Sequence, residues 1–444
     1  MYGHGAILLL TVRACKCCNI VPGCRYSSNG DTYSCSGTLW KENEFDNFNV
    51  DDRTSVKVIE ICNIKKDSLN LHKINIKFPH LTNITIWQGN VNAITGTFLS
   101  GNQIKVLQLR DLSITHLPLK LLNSLINLEH LDLSGNRLQS LDAKMIQEIN
   151  RIPSINITNN EWNCFLDLDW ALKLNPNIVN KTNDFNCYQN PYGGKPIVAI
   201  THIKKDVQTS CPSKCECTLT DVVRDPSNLE LEPIIEVNCS SRDFTHFPSV
   251  LPNKTKILLL DSNKIQSLEP LISNPIYEKV QDLNLDNNFI SGIEDLEGSY
   301  WFLHFRSLSL RNNQLMHLPT YALDNALQVN PNMPDAVRLF LGENPWKCDC
   351  VFVVSFQDLL RKYKAQIFDI DEIKCSYIKN DYYPTILSLS RGEVCRLPSD
   401  SIRTLDLVNG VLASLIVLIL GKLAYDYYHF KKTGRLPWIV TKIP

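Results

Sequence analysis

The stretch Leu128 to Leu141, LEHLDLSGNRLQSL, is one unit of a periodic pattern, and that periodicity limits the fold more than any other feature of the chain. Its fixed positions are Leu128, Leu131, Leu133, Asn136, Leu138 and Leu141. Equivalent first positions fall at Val56, Leu81, Ile104, Leu128 and Ile152, in steps of 25, 23, 24 and 24 residues. A second series begins at Thr255, Val280, Phe305 and Ala336, in steps of 25, 25 and 31, with its asparagines at Asn263, Asn288, Asn313 and Asn344. In a short strand, Leu-x-Leu points two side chains to one face. The chain must then turn and return without leaving backbone groups unpaired. An asparagine amide, with donors and an acceptor on one short side chain, can bond to backbone of its own and of the adjacent unit. One unit cannot bury its apolar face, but a stack can. The pattern therefore predicts an α/β solenoid in two blocks, with Asn stacked on Asn inside. Where the asparagine is missing, at Leu112 and near Gly89, a looser or differently packed turn is expected.

The sixteen cysteines among 444 residues are clustered. They fall at Cys15, Cys17, Cys18, Cys24, Cys35 and Cys62; at Cys164 and Cys187; at Cys211, Cys215, Cys217 and Cys239; and at Cys348, Cys350, Cys375 and Cys395. An even number in clusters reads as disulfides in an oxidising compartment. The competing reading is structural zinc, held by pairs such as Cys215/Cys217 and Cys348/Cys350. Five Asn-x-Ser/Thr sites, at Asn83, Asn156, Asn180, Asn238 and Asn253, favour the disulfides, because all precede a C-terminal apolar segment and agree with a location outside the cell.

That segment, Leu407 to Tyr425, reads LVNGVLASLIVLILGKLAY. As a helix it rises about 28 Å, close to a bilayer's hydrocarbon thickness, and Lys422 can snorkel. Lys422, Lys431, Lys432, Arg435 and Lys442 follow the apolar core, so the basic side reads as cytosolic and the N-terminal part as extracellular, a single-pass type I arrangement in the plasma membrane. Tyr425, Tyr427 and Tyr428 sit where interfacial aromatics belong. A buried core helix is the alternative; a glycolipid anchor would end in its apolar tail, whereas here a basic tail follows. At the start, Gly5 to Val12 is a short apolar run without a basic flank, which makes residues 1–14 an atypical signal peptide.

Cys211-Pro-Ser-Lys-Cys215-Glu-Cys217 with Cys239 precedes the second series, and Asn344-Pro-Trp346-Lys-Cys348-Asp-Cys350 with Cys375 and Cys395 closes it. The first series ends in a reduced version, Asn160-Glu-Trp162-Asn-Cys164 with Cys187. With these flanks, residues 15 to 396 resemble extracellular leucine-rich-repeat transmembrane proteins with paired cysteine-rich caps. That resemblance implies the pairs Cys211–Cys217, Cys215–Cys239, Cys348–Cys375 and Cys350–Cys395; Cys164 and Cys187 form a further candidate pair, and the first six cysteines stay open. Two tandem blocks, one span and a short tail resemble, within that family, insect proteins of moulting-hormone-linked development, and imply such a role. The expected organisation is a signal segment at 1–14, an N-flank at 15–62, the first block at 56–160, a reduced C-flank and linker at 160–210, and a second N-flank at 211–250. The second block follows at 251–344, its C-flank at 344–396, a juxtamembrane segment at 397–406, the span at 407–425 and a cytoplasmic tail at 426–444.

Between the inward leucines, outward side chains form columns on the concave sheet, about 4.8 Å apart from strand to strand. In the first block the columns are Thr85, Gln108, Asp132, Asn156 and Trp87, Arg110, Ser134, Thr158. In the second they are Leu259, Asn284, Ser309, Phe340 and Asp261, Asp286, Arg311, Gly342. Trp87, Arg110, Asp132, Leu259, Asp286, Arg311 and Phe340 are the candidate contacts for a protein ligand. Trp87 has an equally weighted alternative, packing under glycans or against the N-flank. No nucleotide loop, metal-spaced histidine pair or GxSxG is present, so the chain reads as a non-enzymatic protein without a cofactor. A formal net charge of −1 gives no global reason to expect nucleic acid. The partner expected is an extracellular or cell-surface protein, with lateral association with another receptor supplying cytoplasmic machinery. A short tail that itself recruits an adaptor is the alternative.

Overall fold

The computed structural model describes residues 23–27, 31–36, 54–175, 185–376, 383–395 and 399–434. The chain divides into two compact units, residues 1–238 with 248–257, and residues 239–247 with 258–444.

In the first unit, seven strands lie in chain order: β1 (Gly23–Tyr26), β2 (Thr32–Ser36), β3 (Val58–Asn70), β4 (Asn83–Thr95), β5 (Val106–Arg110), β6 (His130–Asp132) and β7 (Ser154–Asn156). The sheet is mixed, since β1 and β2 are antiparallel and every later pair is parallel. Parallel neighbours one repeat apart need a return segment. The short helices Leu71–Lys77, Leu119–Asn123 and Ala143–Ile149 supply it on the far side. The alternating inward residues Ile84, Ile86, Leu107, Leu109 and Leu131 are completely buried. At about 1.5–3 kcal/mol per buried aliphatic side chain, this row is the main drive for stacking.

Every repeat turns the corner in the same way. The residue after the second outward position has left-handed φ: Asn63 at 54°, Gln88 at 52°, Asp111 at 54°, Gly135 at 68° and Asn159 at 53°, then Ser262 at 58°, Asn287 at 57°, Asn312 at 49° and Glu343 at 59°. In six of these the next residue is the buried asparagine. Asn136 Nδ2 donates to Leu109 O at 2.7 Å and Leu133 O at 2.9 Å, while its Oδ1 accepts from Leu112 N and Ile114 N. Asn288 Nδ2 donates to Leu260 O and Leu285 O, both at 3.0 Å, and its Oδ1 accepts from Ile265 N at 2.9 Å. Asn160, Asn263, Asn313 and Asn344 likewise reach a carbonyl of the preceding repeat and accept a backbone N–H.

Of the looser or differently packed turn expected where asparagine is missing, the structure has the second. At Gln88 and Asp111 the corner keeps its left-handed geometry. At Gln88 backbone pairs with backbone, since β3 and β4 continue past the corner, from Ile64 opposite Gly89 to Asn70 opposite Thr95; after Asp111, Leu112 N and Ile114 N donate to the Asn136 side chain of the next repeat. Gly89 permits that approach, because a Cβ there would fall 2.2 Å from Ile64 O.

The stack ends on aromatic plugs. Trp162 is fully buried, its ring 5.1 Å from Trp170 and 5.7 Å from Phe185, with Cys164 joined to Cys187. At the other end Cys24 and Cys35 are joined across the β1–β2 pair. Cys62 is buried and disulfide-bonded, while Cys15, Cys17 and Cys18 lie outside the described residues. The stretch expected as linker holds a packed helix, Ile197–Thr209, which buries Ile197, Ile200, Thr201 and Val207. Lys204 Nζ donates to Cys164 O at 2.5 Å, and the hydroxyl of buried Tyr192 donates to Leu219 O. Leu219 belongs to the antiparallel pair β8 (Glu216–Arg224) and β9 (Leu231–Asn238), preceded by the disulfide Cys211–Cys217. Cys215 and Cys239 are each disulfide-bonded.

The later strands β10 (Thr255–Leu259), β11 (Asp282–Asn284), β12 (Ser307–Ser309) and β13 (Arg338–Phe340) also follow chain order. In the second unit Trp346 is fully buried, 5.0 Å from Phe356, and the disulfides Cys348–Cys375 and Cys350–Cys395 hold the flank. Asp349 caps the helix Cys350–Lys362 by accepting from Val351 N and Phe352 N. The flank also lengthens the sheet: Leu339 N donates to Gln366 O at 2.8 Å and Phe368 N to Leu339 O at 3.2 Å. The last helix runs Ser399–Thr433, and its segment Leu405–Thr433 is long and apolar enough to cross a membrane, with none of the apolar window buried.

Replacing Asn288 by Ala leaves Ile265 N without its acceptor inside the stack, while Leu260 O keeps the Asn263 amide and Leu285 O keeps the Asn313 amide, each losing one of two donors. At about 1–3 kcal/mol for a buried unsatisfied group, Asn288→Ala is expected to lower unfolding free energy by about 2 kcal/mol. The exposed Gln314→Ala is expected to change it by less than about 0.5 kcal/mol. Denaturant unfolding of the detergent-solubilised chain separates the two, and equal effects would contradict the bonding scheme.

Candidate protein-binding surfaces

The outward columns follow from strand register. Thr85 lies opposite Gln108, Gln108 opposite Asp132, and Asp132 opposite Asn156, while Trp87 lies opposite Arg110. Much of the first column is engaged within the fold. Thr85 Oγ1 donates to Gln108 Oε1 at 3.3 Å, and Asn156 Oδ1 accepts from Thr158 N and Oγ1. Asp132, expected at the surface, is only 5% exposed, and its Oδ1 accepts from Ser134 N and Oγ. Its burial follows from position, since a central strand residue lies between two filled neighbours. Asp132 thereby acts on Arg110, whose Nε stands 4.0 Å from Oδ2. That separation holds the charges together but is too long for a hydrogen bond. Arg110 Nε is buried and has no hydrogen-bond partner. Trp87 beside it is half-buried. An indole and a guanidinium are therefore register neighbours on adjacent strands, and among the described residues neither side chain makes a hydrogen bond.

Arg311, the corresponding cation of the second block, is placed differently. Its guanidinium meets Glu372 through Nη2, with Glu343 Oε1 at 3.6 Å and Asp369 Oδ2 at 3.7 Å. Asp369 is itself buried and accepts from Leu341 N at 3.0 Å and Gly342 N at 2.6 Å. Arg311 thus ties the last repeat to its flank. Asp286 accepts from Ser309 Oγ at 2.5 Å and Arg311 N at 2.9 Å. Burial raises the Asp286 carboxyl above the usual aspartate range, opposed by those donors and by the Arg311 charge, while Asp261 raises it further.

Leu259 and Phe340 are half-buried. Phe340 packs 5.6 Å from Phe368, which is 58% exposed, and the Arg338 guanidinium lies 5.5 Å over the Phe368 ring. Sequence reasoning missed Phe368 and Arg338. Phe368 lies in the flank, outside any repeat register, whereas Arg338 stands in register with Asp282 and Ser307, two residues before the column of Phe340, where the aligned repeats could have singled it out.

The asparagine sites differ in setting. Asn83 opens β4, Asn156 lies in β7 and Asn238 closes β9. Asn253 sits in a turn, and Asn180 lies outside the described residues.

Comparison with known proteins gives the lineage. The family described as Halfway C-terminal domain matches residues 405–442, which take in the candidate membrane helix and the residues after it. Protein singed wings 2 of Drosophila melanogaster is 35% identical over 397 residues, covering 86% of this chain and 78% of that protein. Protein halfway of Drosophila pseudoobscura pseudoobscura is 26% identical over 418 residues, covering 88% of this chain and 67% of its own length. Leucine-rich repeat-containing protein 3 of Danio rerio is 25% identical over 189 residues, 41% of this chain and 60% of that protein. With its leucine-and-asparagine repeats, cysteine flanks and single apolar helix, and at this identity and coverage, the chain belongs to the family of Protein singed wings 2 and Protein halfway.

Proposed function

We propose that this protein is a non-enzymatic adhesion molecule or co-receptor, displayed outside the plasma membrane on a single type I span, and that a protein ligand docks on the concave face at Trp87 and Arg110. One observation carries the choice of surface. Among the described residues the Arg110 guanidinium makes no hydrogen bond and has one ion pair, 4.0 Å from Asp132, beside an indole, whereas Arg311 donates to Glu372 and stands near two further carboxylates. Aromatic residues and arginine dominate binding energy at protein interfaces, provided that the fold does not already use them. Phe340 with Phe368 and Arg338 supports a second contact area in the second block.

Lateral association with another receptor would supply cytoplasmic machinery. A specific observation favours a second reading, in which the tail itself recruits an adaptor: the family match falls on residues 405–442. Exchanging residues 435–444 for an unrelated basic sequence distinguishes them, since retained function favours the co-receptor and lost function favours the tail. Participation in insect moulting-hormone-linked development rests on the family resemblance. Removing the protein before a moult and timing the hormone-driven stages tests it.

Proximity labelling from the extracellular side of intact cells, comparing wild type with Trp87→Ala and Arg110→Ala, tests the docking surface. Both variants are expected to reach the surface normally. Affinity for the labelled partner should fall about 30-fold for Trp87→Ala, the effect of losing about 2 kcal/mol at a central anchor. Unchanged partner capture by both would overturn the assignment. Arg311→Ala is expected to act on folding instead. With Arg311 one-third exposed and its effect discounted for solvent, the loss is about 1–2 kcal/mol, read as a lower unfolding midpoint.

A further inference from the structure

Within the first unit a cleft of about 530 Å³ opens between the helix Ile197–Thr209, β9 and the turn before β10. That volume falls in the range of sites that bind small organic ligands. Its lining is part apolar and part polar: Val207, Leu231, Pro233, Ile235, Leu251 and Pro252 form the apolar part, and Val207, Ile235 and Leu251 are at most 7% exposed. Asp206, Thr209, Ser210 and Lys254 place polar groups in the same lining, and Asn253 completes it. Asn253-Lys254-Thr255 is an asparagine-linked glycosylation triplet.

We propose that Asn253 carries an N-linked glycan and that its first N-acetylglucosamine seats its C–H face in this cleft. Among the described triplets, Asn253 alone stands in a turn, while the other three lie in strands. Lys254 has φ 67°, and the buried Thr255 hydroxyl donates to Pro252 O at 2.7 Å, which fixes the turn with Asn253 outward. The Asn253 side chain is exposed and makes no hydrogen bond to a described residue, whereas the Asn156 carboxamide is held by Thr158. In the attachment step the Asn253 amide nitrogen displaces a lipid-linked diphosphate from the sugar's C1. A C–N bond forms, the C1–O bond to phosphate breaks, and the amide proton leaves with the diphosphate side. A pyranose has an apolar face and a hydroxylated rim, matching a cleft with proline and leucine walls and polar edges.

The inference rests on the extracellular reading of residues before the membrane helix, and one experiment separates the two. The full chain, made in insect cells, is mapped for occupied asparagines by glycosidase release in heavy-oxygen water. Occupancy at Asn253 is expected. Occupancy at other sites but not at Asn253 overturns the proposal alone, and occupancy nowhere overturns the extracellular reading as well. The folded protein is then treated either with an amidase that removes the whole glycan or with an endoglycosidase that leaves the first sugar. Whole removal is expected to raise fluorescence of an apolar-surface dye and lower the melting midpoint by roughly 2–4 °C, the shift for about 1 kcal/mol in a domain of this size. Trimming to one sugar should change neither. Asn253→Gln should match whole removal, and Asn83→Gln should not. Unchanged dye binding and midpoint after whole removal, or equal effects of the two enzymes, would overturn the seating.

Discussion

The buried asparagine amide at the repeat corner is the interaction on which the rest of the structure depends. A strand that turns sharply after two leucines leaves N–H and C=O groups pointing into an apolar interior, where an unpaired group costs about 1–3 kcal/mol. One carboxamide satisfies groups in two repeats at once, as Asn288 does with Leu260, Leu285 and Ile265. It therefore fixes the corner and couples each repeat to its predecessor. Where it is missing after Gln88, β3 and β4 run on past the corner and backbone bonds replace it, with Gly89 allowing the close approach. Both arrangements share the left-handed residue, so corner geometry is common and the means of satisfying it varies.

This internal coupling sets what remains for recognition. Positions facing the core are filled by aliphatic side chains, and outward polar groups bond to one another, as Thr85 with Gln108 along one column and Asp286 with Ser309 between two. Arg311 is drawn into the flank by three carboxylates. Side chains with fewer such partners acquire interest by contrast, Trp87 first and then Arg110, whose one ion pair is with Asp132. A terminal plug serves each stack, with Trp162 and Trp346 in corresponding places after the last asparagine and adjacent disulfides restraining the chain around them.

The repeats were legible because their period appears directly as leucine and asparagine spacing, and strand register places the named columns as that spacing implies. The extended β3–β4 ladder was not legible, because a local pattern does not record which neighbour a backbone group finds. Asp132 reads outward by alternation, yet filled neighbours bury it. The helix Ile197–Thr209 falls in the stretch that reads as reduced C-flank and linker, since a single apolar face without a repeat says little about what it packs on. Phe368 reaches the concave face only because the flank pairs with Leu339, a contact between segments with no shared motif.

The central claim is that the outward side chains not held by hydrogen bonds among the described residues, beginning with Trp87 and Arg110, meet a protein partner. Site-specific photocrosslinking on intact cells tests it most directly. A photoreactive amino acid is placed at position 87 on the concave sheet or at position 126, where Ile126 is 68% exposed beyond the helix Leu119–Asn123. The account predicts a discrete protein adduct from position 87 and none from position 126 at equal surface display. An adduct from position 126 with none from position 87 would contradict it.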